Sequence, residues 1–189
     1  MDSLKAILKD SKKFRNKLVN RMQELDAASI NCMNCSGVCC TKFRNSMMVT
    51  PVEALDLYFY LEENIKDKAL LWKNIETSVV DFGLDREIYV KNKLMRKNYT
   101  CPLFKLESFG CPVEPHLKPF GCLGYNALAP NVTEGENCAS DTQLLEEVDL
   151  EIRKELEGMN KAIKEVLALD FDKTNIPMAL LKIKKLLSK

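Results

Sequence analysis

Apolar residues recur at helical spacing toward both ends of the chain and lose that rhythm in between. Leu4, Leu8, Phe14, Leu18, Met22 and Leu25 fall on one face of a helix predicted over residues 3–29, with Ser11 as a polar interruption. A second helix opens at Thr50, which can cap it; Pro51 suits the first helical position and Glu53 completes a capping box. Leu55, Tyr58 and Leu61 would then face inward. A third helix is predicted over 67–81, with Leu71, Trp72, Ile75 and Val79 apolar and Gly83 just beyond its end. Residues 85–97 fit a helix or a strand. Ser140 and Gln143 read as another capping box, ahead of a stripe from Leu144 through Val148, Ile152, Leu156, Met159, Ile163 and Val166 that runs to about residue 169. A last helix, 176–188, starts with Pro177 and carries Leu180, Leu181, Ile183 and Leu187.

The middle is different. Residues 98–138 hold five of the seven prolines, four of the seven glycines and four cysteines. Extended pieces at Thr100–Phe104 and Cys111–Val113, joined by a turn around Ser108–Gly110, fit this stretch better than long helices. Such a segment offers little core of its own. The expected fold is mainly α: a single helical domain over 1–189, with an N-terminal helix (1–29), a cysteine-cluster core (30–138) and C-terminal helices (140–189). At most a short β-hairpin is expected beside the irregular, cysteine-rich metal-binding centre.

Charge changes little. With 28 basic and 27 acidic residues, the balance points to neither a nucleic-acid nor a membrane partner. The N-terminal helix is locally basic, through Lys5, Lys9, Lys12, Lys13, Arg15, Lys17 and Arg21, but Asp2, Asp10, Glu24 and Asp26 dilute it, so a solvated face is expected. No stretch is apolar enough for a signal peptide or a membrane span. A cytoplasmic location follows as the expectation, and there thiols stay reduced. Eight cysteines then read as ligands, with disulfides as the lesser reading.

Those cysteines fall only in the two irregular segments and on none of the predicted helices. Cysteines serving as small core residues would also appear on helix faces. The first cluster is Cys32-Met33-Asn34-Cys35-Ser36-Gly37-Val38-Cys39-Cys40. A C-x2-C turn brings two sulfurs to one metal, and Gly37 gives the backbone freedom for a third to come round. Four thiolates so close together repel unless a cation neutralises them. The second set is Cys101, Cys111, Cys122 and Cys138, with Cys-Pro pairs at Cys101-Pro102 and Cys111-Pro112 of the kind seen beside ferredoxin clusters, and glycines flanking Cys122.

The order Cys32-x2-Cys35-x3-Cys39-Cys40, then Thr50-Pro51-Val52-Glu53-Ala54, then Cys101-Pro102-Leu103-Phe104 resembles the bacterial and archaeal cysteine-cluster proteins described as zinc- or iron-chelating domains. The likeness covers residues 30–138. Lys118-Pro119 stands where that family usually has Arg-Pro, Leu123 replaces a basic residue, and the first cluster is one residue longer. The resemblance implies a metal-chelating domain without a fixed activity. A flagellin lysine methylase is similar in the same motif and is thought to use a four-iron cluster, which favours iron and leaves an enzymatic role open.

Zinc is the rival. It commonly takes paired C-x2-C knuckles; here there is one, with a vicinal Cys39-Cys40 pair awkward for a single tetrahedral ion and later cysteines spread widely. One or two 4Fe-4S clusters are therefore the expected cofactor, zinc the alternative, and all eight cysteines the expected ligands. His116, the only histidine, reads as a surface residue sooner than as a ligand. The C-x3-C-x2-C order of radical S-adenosylmethionine enzymes is reversed here, and no phosphate loop, nucleophile elbow or metalloprotease helix occurs. The expected uses are electron transfer, metal handling or cluster-assisted group transfer, with an unidentified protein or small-molecule partner. The alternative is a zinc-stabilised interaction module without catalysis.

Overall fold

Leu4, Leu8, Phe14 and Leu18 are all buried, as the N-terminal stripe requires, yet the backbone beneath them is not one uninterrupted α-helix. The computed structural model describes residues 11–28, 37–86, 88–91, 93–104, 111, 113–127 and 138–188, with Leu4, Ala6 and Leu8. Ser11–Arg15 winds as a 3-10 turn before α1, Asn16–Ala27. The remaining helices are α2 (Pro51–Asn64), α3 (Lys68–Phe82), α4 (Phe120–Leu123), α5 (Thr142–Leu167) and α6 (Ile176–Leu187). The chain is mainly helical. No helix among the described residues is long and apolar enough to cross a membrane.

The caps explain several boundaries. At α2 the Thr50–Glu53 capping box forms as the sequence predicts. Asp67 caps α3, and Gly83 ends it in the left-handed conformation at φ 56°. The cap of α5 is a correction. Asp141, not Ser140, accepts from the Leu144 amide at 3.0 Å, because Ser140 is committed to a strand. Asn175 caps α6 through the Met178 amide.

The strands also differ from expectation. Instead of at most one hairpin, the described residues form three antiparallel pairs: β1 (Met48–Val49) with β6 (Thr174–Asn175), β2 (Tyr89–Val90) with β3 (Lys93–Leu94), and β4 (Tyr125–Ala127) with β5 (Cys138–Ser140). Thr100–Phe104 forms no strand; its backbone is taken up in a turn, with the Phe104 amide on the Cys101 carbonyl at 3.0 Å. The predicted turn at Ser108–Gly110 lies outside the described residues.

The main core gathers Leu55, Leu57 and Leu61 of α2, Leu71 and Ile75 of α3, Ile163 of α5, and Leu180 and Ile183 of α6. The central segment is richer in anchors than its sequence texture implies. Cys101, Leu103, Val113 and Leu117 join that core, and Leu123 closes a second one with Leu18, Val19 and Val148. These apolar residues lack periodicity because loops and one-turn pieces deliver them singly.

The N-terminal turn carries the second correction. Arg15 was expected on a solvated face but is fully buried. Positions 4, 8, 11, 15 and 18 share one helical stripe, so Ser11 and Arg15 together form its polar centre. The Ser11 hydroxyl donates to Asp56 Oδ2, and Arg15 Nη1 reaches the same oxygen at 3.0 Å. Arg15 Nε donates to the Lys118 carbonyl at 3.0 Å, and the guanidinium lies over the Phe120 ring, 5.2 Å from its centroid. Burial raises the Asp56 carboxyl above the usual carboxylate range, outweighing the pull of Arg15 and the Ser11 hydrogen bond. The pair is therefore better understood as a positioning device than as a large net source of stability. Breaking it leaves one buried charge alone, so Asp56→Ala should cost about 3–5 kcal/mol in urea unfolding. Adding Arg15→Met to that variant should recover more than half of the loss.

Candidate metal centre

Two carboxylates one helical turn apart on α2 fix the segment that carries Cys122. Glu53 Oε2 accepts from the Thr50 amide at 2.8 Å and from its hydroxyl at 2.9 Å, completing the α2 cap. Its other oxygen, Oε1, accepts from the Phe120 amide at 2.8 Å, so the same side chain also caps the one-turn helix α4. Asp56 acts on the preceding residues, through Arg15 and the Lys118 carbonyl. Lys118 and Phe120 are thus both tied to α2. Cys122 follows in α4, its amide on the Pro119 carbonyl at 2.9 Å. No helix was expected to carry a cysteine. Pro119 and the Glu53 cap make this exception. Gly121 lets the Met47 side chain pack close, since a Cβ would lie 2.6 Å from Met47 Sδ and the thioether would have to shift.

The first cysteine segment is held by a different set of contacts. Gly37, at φ 72°, turns the chain into the 3-10 turn Val38–Cys40, and a Cβ there would strike the Phe104 ring at 2.3 Å. Only glycine satisfies both demands. The Cys101 amide donates to the Cys40 carbonyl at 2.7 Å, the Lys42 amide to Thr100 Oγ1 at 3.2 Å, and the Tyr99 amide to the Asn45 carbonyl at 2.9 Å. Residues 40–45 and 99–101 therefore run side by side. Tyr99, fully buried, donates its hydroxyl to the Met47 carbonyl at 2.8 Å and accepts from the Ile176 amide at 3.2 Å. This anchors both cysteine segments to the start of α6.

The thiols consequently share one electrostatic neighbourhood. Burial pushes the Cys122 thiol well above its ordinary value, and the neighbouring thiols of Cys101, Cys111 and Cys39 push it further. Cys101, fully enclosed, is pushed up to about 12, chiefly by burial, with Cys111 and Cys39 again contributing. Cys39 is raised by a hydrogen bond to the adjacent Cys40 thiol and then by burial. Like charges crowd each other here, and each anion formed disfavours the next. Lys118 is the opposing charge: only 8% exposed, it lowers both Cys39 and Cys122.

Four of the expected ligands, Cys39, Cys101, Cys111 and Cys122, thus lie close enough to influence one another, and Cys40 adjoins Cys39. Cys138 stands apart on β5, opposite Ala127, where its carbonyl accepts from the Tyr125 hydroxyl at 3.1 Å. Tyr125 feels both Cys138 and Cys39, so that hairpin borders the same region. Cys32 and Cys35 lie outside the described residues. His116 is half-buried in the 3-10 turn Pro115–Leu117. Among the described residues no three His, Cys, Asp or Glu side chains stand as a ready-made group for a metal ion. Electrostatic influence reaches further than a coordination bond, so the two findings describe different separations. A cleft of about 440 Å³ opens beside Gly121, walled by Met47, Phe120, Leu145, Ile152 and Leu156.

Sequence reasoning missed Asp56, Lys118 and the second role of Glu53. For Lys118 a signal existed: a lysine between two cysteines, followed by proline. If Glu53 bridges the two elements, Glu53→Ala should speed hydrogen exchange of the Phe120 amide by at least about ten-fold, while α3 amides keep their protection.

Comparison with known proteins returns no matching family model, no matching curated protein and no matching solved structure.

Proposed function

We propose that this protein binds metal through cysteine thiolates, that the metal is an iron–sulfur cluster, and that Cys39, Cys101, Cys111 and Cys122 are its inner ligands. The observation that carries this reading is the mutual influence of four thiols drawn from separate segments around a nearly buried lysine. A buried lysine is costly without an anion nearby. Four neutral thiols offer it none, whereas a thiolate-ligated cluster carries net negative charge and gives Lys118 a partner. The soft donor set suits iron–sulfur clusters and zinc and argues against magnesium or calcium. The resemblance to chelating cysteine-cluster proteins and the wide ligand spacing favour iron over zinc. Cys32, Cys35, Cys40 and Cys138 supply further thiolates, either to the same centre or to a second one.

In this reading the centre closes when metal arrives. Cysteine ligands must lose their protons to bind, so loading the site would release those protons to solvent while the sulfurs bind as thiolates. A cytoplasmic, reducing setting would keep the thiols available.

Anaerobic purification followed by iron and acid-labile sulfide analysis tests the proposal. A brown protein with broad visible absorption and about four irons and four sulfides per cluster is the expected result. A colourless protein with stoichiometric zinc would instead make the centre structural. A protein that retains no metal after anaerobic reconstitution would refute both.

A further inference from the structure

Nine large apolar side chains are substantially exposed among the described residues, and four of them, Ile88, Tyr89, Val90 and Met95, belong to the β2–β3 hairpin. Its strands pair Tyr89 with Leu94 and Val90 with Lys93, and the Met95 amide donates to the Ile88 carbonyl at 2.8 Å. Lys91, at φ 49°, opens the tight turn between them. Alternation along a strand sends Val90 to the face opposite Tyr89. Tyr89 is 60% exposed and Val90 49%, so neither face of this hairpin is turned into the core. An apolar element of this kind marks an interaction surface.

Its surroundings say what kind. Residues 85–97 contain five basic and two acidic side chains, in a chain whose net charge is only +1. At the base of the hairpin lies a cavity of about 140 Å³, with Arg86, Arg96, Lys97, Lys173 and Lys182 among its lining residues and Asp85 as their one acid. Lys97 is spent on the Gly83 carbonyl and Lys182 on Asp170 at 2.7 Å. Arg86 and Arg96 are exposed, and Lys173 stands beside them, although Arg96 and Lys173 also face the neighbouring cleft that Glu146 and Glu157 line. The volume suits one phosphate group, and the charges suit an anion. Apolar side chains beyond a ring of cations match the layered chemistry of a lipid surface, acyl chains beneath anionic headgroups.

We propose that the β2–β3 hairpin docks on an anionic membrane surface, with Ile88, Tyr89, Val90 and Met95 entering the interface and a lipid phosphate held by Arg86, Arg96 and Lys173. The proposal does not depend on what metal the cysteine centre holds.

Co-sedimentation of the full-length protein with vesicles tests it. Phosphatidylcholine vesicles containing about a quarter phosphatidylglycerol should retain the protein, and pure phosphatidylcholine should retain far less. Arg86→Gln together with Arg96→Gln should weaken partitioning about 25-fold, as two cations near a charged surface contribute about five-fold each. Tyr89→Ser with Val90→Ser should weaken it at least about ten-fold. Lys66→Gln, an exposed lysine between α2 and α3, should leave it unchanged. All these side chains are exposed, so unchanged far-ultraviolet dichroism is expected throughout. Equal binding to neutral and anionic vesicles would overturn the proposal. So would no binding to either, or binding to anionic vesicles that a polyglutamate peptide abolishes at physiological salt.

Discussion

The geometry of the cysteine-rich centre depends on one constraint: two carboxylates, Glu53 and Asp56, one turn apart on a helix that carries no cysteine. Glu53 caps its own helix and the start of α4 together. Asp56 holds Arg15, and Arg15 holds the Lys118 carbonyl. Both acids are nearly inaccessible, at 4% and 7% exposure, so each must be satisfied by partners inside the protein. Burying them costs free energy that apolar residues would not. What they contribute is specificity, because only one placement of the N-terminal turn and of residues 118–120 satisfies them together. Apolar packing alone would tolerate a slip that these bonds forbid.

The same logic extends to the other half of the centre. Tyr99 joins three chain segments through one hydroxyl and one amide, leaving Cys101 beside Cys40 with little backbone freedom. Gly37, Gly121 and Gly124 are places where a neighbouring side chain approaches so closely that a Cβ would crowd it, Phe104 at the first, Met47 at the second and Leu145 at the third. Each sits within three residues of a cysteine. The thiol-bearing segments thus sit in rigid surroundings, which is what the proposed metal site would need.

Much of this was legible in the sequence. The caps of α2 and α3, the apolar stripes and the segregation of cysteines from the long helices all follow from local rules that tertiary packing here reinforces. The misses have a common cause. Ser140 looked like a cap until its pairing with Tyr125 in the β4–β5 ladder was visible. Arg15 looked solvated because charge is read by composition, although its position on the stripe with Leu8 and Leu18 placed it inward. Val113, Leu117 and Leu123 reach the cores from a loop, a 3-10 turn and a one-turn helix, pieces too short for a period to betray them. A long-range partner such as Asp56, which meets Arg15 across 41 residues, leaves no local trace.

The central claim is that cysteines distant in sequence build one centre. Cys39→Ala and Cys122→Ala, each reconstituted anaerobically with iron and sulfide, test it by their visible absorption and paramagnetic resonance spectra. One shared centre predicts that either substitution removes or alters the same spectral signal. Two signals, each lost with only one substitution, would contradict it and would leave the two segments as independent metal sites.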